Sequence, residues 1–128
     1  MPVALNLEAT KDFILTTECN EDGTPKPGAT VFVIGTMNSV KHASLASLAT
    51  RISTDDIAFE RYINTAIRYG LKGWHGFLDG NGSHVKFDTD GSGHPTDVTI
   101  SRIPADDLVE LALAIIRFNR LTPAELGN

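Results

Sequence analysis

Arg68-Tyr-Gly-Leu-Lys-Gly-Trp74-His-Gly-Phe-Leu-Asp-Gly-Asn-Gly82 is the stretch on which the fold turns. Its first residues close an apolar-periodic segment, its glycines punctuate a bend around the one tryptophan of the chain, and Asp79-Gly-Asn-Gly82 has the composition of a tight turn. Trp74-His-Gly-Phe-Leu78 before that turn and His84-Val-Lys-Phe87 after it predict a hairpin over about 72–88.

Upstream, Ile57, Phe59, Tyr62, Ile63, Ala66 and Ile67 recur mostly at three- and four-residue intervals. They predict a helix over about 54–69, with cap candidates and early negative charge in Ser53-Thr-Asp-Asp56. Gly70 is of the residue type that suits a left-handed helix terminus. A shorter helix over about 39–50 is expected behind Asn38 and Ser39, either a suitable cap, with Val40, Ala43, Leu45, Leu48 and Ala49 as its apolar positions.

Further upstream, 12–18 and 29–36 are rich in β-branched and aromatic residues. Between them, Asp22-Gly23 supplies a turn, while Pro25 and Pro27 discourage both pairing and helix. An N-terminal hairpin over 12–36 with a long loop follows.

Downstream of the quoted stretch, 89–96 reads as a loop and Val98-Thr-Ile100 as a short strand. Pro104, Asp106 and Asp107 open a helix over about 104–120, whose stripe is Leu108, Leu111, Ala112, Ile115 and Ile116. No internal repeat stands out. The expected fold class is α+β, a single domain spanning 1–128 with about three α-helices and two small antiparallel β-hairpins.

Composition narrows the function. With 128 residues, a hydrophobic fraction of 41% and a charged fraction of 21%, the chain suits one globular domain. A net charge of −5 with scattered basic residues argues against nucleic acid. The single cysteine, Cys19, fits a reducing cytosol, and the apolar run Ala112-Leu-Ala-Ile-Ile116 is closed by Arg117 too early for a membrane span.

Candidate constellations resolve into ordinary structure. Asp88-Thr-Asp-Gly-Ser-Gly93 begins like a calcium loop, but position twelve is Thr99 and Pro95 interrupts it, so 88–99 reads as a solvated turn. His75, His84 and His94 lack the compact spacing of a zinc site. No nucleophile motif accompanies them. The glycines at 70, 73, 76, 80 and 82 follow a helix rather than a strand, the wrong order for a phosphate loop. No catalytic residue, cofactor or metal is expected.

Tyr69-Gly-Leu-Lys-Gly-Trp74, the Asp79-Gly-Asn-Gly82 turn, and Leu108-Val-Glu-Leu-Ala112 leading to Asn119-Arg-Leu-Thr122 resemble the small tail assembly chaperones of long-tailed bacteriophages, over about residues 29–128. The resemblance implies a non-catalytic protein that binds the tape-measure protein and tail tube subunits in the host cytoplasm during assembly. It also implies a longer form made by ribosomal slippage, and Leu126-Gly127-Asn128 is compatible with the codons CTG GGA AAC.

Trp74, Phe77, Phe118 and Leu121 are the candidate protein-binding residues, in the bend and at the end of the last helix; the alternative for Trp74 and Phe77 is packing against the core. The apolar run of that helix serves either the fold or a homo-oligomer. The competing reading is a virion structural protein, a head, neck or tail accessory component whose loop 19–28 reaches a neighbouring subunit.

Overall fold

A computed structural model describes residues 4–52 and 56–120. It is a mixed fold: among the described residues, a three-stranded antiparallel sheet in the order β1-β2-β3 packs against two of four α-helices, and the other two lean on one of these. The strands are β1 (Thr10–Phe13), β2 (Val31–Gly35) and β3 (Leu71–His75); the helices are α1 (Ser39–Ala49), α2 (Asp56–Gly70), α3 (Asp97–Ser101) and α4 (Ala105–Asn119).

Alternation along β2 turns Phe32 and Ile34 inward, where they meet Leu71 and Trp74 of β3. The apolar stripes of α2 (Tyr62, Ile63, Ala66, Ile67) and α4 (Leu111, Ala112, Ile115, Ile116) cover that face in one hydrophobic cluster. Asn119 fixes the end of α4 to the sheet. Its side-chain NH2 donates to Gly35 O at 3.1 Å and Ile115 O at 2.9 Å, while its Oδ1 accepts from Met37 N at 2.8 Å. Near the opposite end of α4, Glu110 Oε2 accepts from the backbone N and the hydroxyl of Thr16.

Several expectations are corrected. The first hairpin is present, but its leading strand lies earlier, over Thr10–Phe13, and Thr16–Glu18 form a 3-10 turn. The second hairpin is not a strand pair: β3 pairs with β2, with Trp74 opposite Phe32, and Leu78 and His84 share only an isolated bridge. A local turn signal cannot reveal that the strand before it finds its partner some 40 residues earlier.

Val98-Thr-Ile100 is helical in α3. The Thr96 hydroxyl caps Thr99 N and Asp97 occupies the positive end, which outweighs the β-propensity of the three residues. Asn38, not Ser39, caps α1, whose only buried residue is Leu45; Val40 is 75% exposed. Gly70 does not adopt positive φ. Glycine is required there by close approach, because a Cβ would lie 2.1 Å from Ile115 Cγ2. The cap candidates Ser53, Thr54 and Asp55 lie outside the described residues.

One turn unit occurs three times. In 18–26, 77–85 and 88–96 the same backbone bonds occur: Asn20, Asp79 and Asp90 N each donate four residues ahead, and Gly23, Gly82 and Gly93 N donate three residues back. Lys26, Val85 and Thr96 N then close each unit on residues 18, 77 and 88. The glycine of each unit has φ near +80°, a conformation that side chains strain to adopt (87°, 79° and 84°). The units share an Asx residue, a short polar residue two places on and that glycine, and 79–82 and 90–93 read Asp-Gly-Asn-Gly and Asp-Gly-Ser-Gly; the other positions vary.

Candidate functional site

Trp74 and Phe118 are placed by β3 and α4. Trp74, on β3, is 8% exposed; its indole N–H donates to Val85 O at 2.8 Å, and its ring meets Phe77 and Phe87 edge-on at centroid distances of 4.8 and 4.9 Å. Phe77 is half-buried and packs tilted against Phe32 at 5.8 Å. Phe118 is 7% exposed and belongs to the core. Of the two roles open to these residues, anchor or core, the core holds both: edge-to-face contacts and a satisfied indole donor keep Trp74 inside, and the last turn of α4 directs Phe118 into the core. Leu121 lies outside the described residues. The aromatic cluster still borders solvent, through a cleft of about 340 Å³ lined by Trp74, His75, Phe77, His84 and Phe87 among others.

An apolar groove open to solvent lies between two helices. Phe59 and Ile63 of α2 face Ala105, Leu108 and Val109 of α4 across a groove of about 260 Å³, edged by Glu60 and Asn64. Phe59 is 39% exposed, and Ile57 beside it is 59% exposed. On a helical projection Phe59 falls on the same stripe as Ile63 and Ala66, so the sequence reads it as core. It remains partly exposed because α4 stands off from it across the groove, while Ala58 in the same turn is buried. Ile57 carries a legible signal: it sits nearly opposite that stripe and cannot share its burial.

The calcium-like segment is organised by its own polar groups. Asp90 Oδ1 accepts from Ser92 N, Ser92 Oγ and His94 N, Asp88 pairs with Lys86 at 3.3 Å, and Thr99 is drawn into α3, where its hydroxyl bonds the backbone of Asp88. These bonds hold the Asp90 carboxyl below the usual carboxylate range, and bonds from Ser83 and Asn81 do the same for Asp79. Among the described residues, no group of three His, Cys, Asp or Glu stands close enough to hold a metal ion.

At the start of α4 the opposite shift occurs. Burial, with repulsion from Glu110 and Asp106, pushes the Asp107 carboxyl up. No helix among the described residues is long and apolar enough to cross a membrane. No protein family, curated protein or solved structure matches the chain.

Proposed function

We propose that this chain is a non-catalytic tail assembly chaperone of a long-tailed bacteriophage, holding the apolar helices of the tape-measure protein and recruiting tail tube subunits. The observation that carries the reading is the α2–α4 groove: Phe59, Ile63, Leu108 and Val109 present an apolar trough between two helices, with Glu60 and Asn64 at its edge. Such a trough suits the apolar face of an amphipathic helix, which would bury Phe59. The resemblance at Tyr69–Trp74 and 108–122 supports the same assignment. The net charge of −5 favours solubility of the loaded complex.

The test is co-expression with the tape-measure protein encoded by the same phage, using the parent chain and a Phe59→Asp, Val109→Asp double variant. The parent should keep the tape-measure protein in the soluble fraction and co-purify with it, and the variant should lose both effects while melting as the parent does. A tape-measure protein that is equally insoluble with either chain overturns the reading. Mass spectrometry of purified particles beside infected-cell lysate separates the competing structural role: a chaperone is found in lysate only, a virion component in particles at stoichiometric copy number.

A further inference from the structure

On another surface, three side chains from three segments meet around Tyr69 of α2. Lys41 of α1 places its Nζ 2.7 Å from His94 Nε2 and 5.1 Å from the centroid of the Tyr69 ring. The Tyr69 and His94 rings lie 5.3 Å apart. Lys72 of β3 reaches in from the sheet: its stem passes close over Gly35, and its Nζ donates to Tyr69 O at 3.1 Å.

An ammonium has donors only, so the bond to Lys41 makes Nε2 of His94 the acceptor and assigns the ring hydrogen to Nδ1, 3.3 Å from Ser92 Oγ. Ser92 in turn donates to Asp90 Oδ1. Lys41 is thereby oriented from one side by an imidazole and from another by an aromatic face.

The cluster has positive charge without a matching anion. Arg68 pairs with Asp97, but among the described residues neither Lys41 nor Lys72 has a carboxylate within ion-pair distance. The strain registers in the titration of its members. Burial and then Lys41 lower the Lys72 ammonium, while burial, Lys41, Lys72 and Arg68 lower the His94 imidazole against a smaller opposing pull from Asp90. Two ammoniums held against the same tyrosine by neutral partners, His94 and the Tyr69 carbonyl, form a local reversal of sign in a chain of net charge −5 that an oxyanion would relieve.

We propose that Lys41 and Lys72, framed by Tyr69 and His94, form a seat for a carboxylate side chain on an acidic segment of a protein partner. Compact ammoniums act as point charges without the planar fork of arginine, so they set the sign of the ligand, and its total charge decides between a carboxylate and a phosphate. The surrounding negative field penalises a polyanion such as nucleic acid more than a single carboxylate. This site is separate from the α2–α4 groove and stands whether or not the chaperone reading does.

The full chain is titrated at low ionic strength with an acetylated, amidated Gly-Glu-Glu-Gly peptide and, separately, with inorganic phosphate, while backbone amides and the His94 ring are followed by NMR. The peptide should shift Lys41, Tyr69, Lys72 and His94 signals saturably. Lys41→Met and Lys72→Met, which keep the aliphatic stems, should each weaken binding roughly tenfold, and Lys86→Met should leave it unchanged. Melting curves check that the variants are folded; should a lysine variant not fold, added salt must abolish the shifts in the parent chain. The proposal is overturned by no saturable shift with the peptide, by equal binding in folded lysine variants, by shifts that persist in salt, or by tighter binding of phosphate than of peptide.

Discussion

The α2–α4–sheet body and the segment 76–96 are held together by different physics. In the body, Phe32, Ile67, Leu71, Leu111 and Ile115 are almost wholly removed from water, and apolar burial is the main stabilising term. In 76–96 two turn units stand end to end, and apart from Phe77, Val85, Phe87 and Pro95 little apolar surface is covered. Order there comes from backbone bonds and from the Asp79 and Asp90 carboxylates, each accepting from several donors. One region should respond to lost volume and the other to lost charge.

The largest effect should follow Leu111→Ala, which empties a fully buried site where α4 meets the rest of the core. Cavity formation at such a position costs about 3 kcal/mol, measured as a shift in the urea midpoint with little change in slope. A loss below about 1 kcal/mol would mean that the α2–α4 contact is looser than its burial implies. Next comes Gly70→Ala. The added methyl collides with Ile115 Cγ2, a branched position that cannot swing aside, so the substitution should cost about 2 kcal/mol even though alanine favours helix. The paired variant Gly70→Ala, Ile115→Val removes no Cγ2 and should recover little; Ile115→Ala in the same background should recover part of the loss.

The smallest effect separates the regions by pH. Asp79 and Asp90 have folded-state pKa values below those of the unfolded chain, so their contribution is complete above the unfolded value of about 3.9 and is lost as pH falls through the lower folded values. Amide exchange at Val85 and Thr96 should therefore accelerate in acid, relative to the intrinsic rate, before that of Ile67 or Ile115 does. Asp79→Asn, which keeps an acceptor but removes the titration, should blunt the response at Val85. Uniform acceleration across both regions would dissolve the distinction.

The same division explains what the sequence could reveal. The stripes of α2 and α4 were legible because amphipathic periodicity records burial directly, and the turns at Asp22-Gly23 and Asp79–Gly82 because glycine marks positive φ. The partner of β3 was not legible, since pairing with β2 is non-local and the nearby turn suggested a closer strand. α3 was misread because a threonine cap overrode three residues of high β-propensity. At the candidate binding surface, residue type alone pointed to Trp74 and Phe118, which lie inside. Phe59 and Val109 become visible only once the crossing of α2 by α4 fixes where the groove lies.

The seam between the two regions runs through the one indole of the chain. Trp74 belongs to β3 yet donates to Val85 O, with rings from both sides, Phe32 on one and Phe87 on the other, set perpendicular to it. Its emission thus comes from a single site whose polarity depends on whether 76–96 is seated on the sheet. The protein carries an intrinsic optical reporter of that docking, readable without labelling and distinct from the far-ultraviolet signal of the helices.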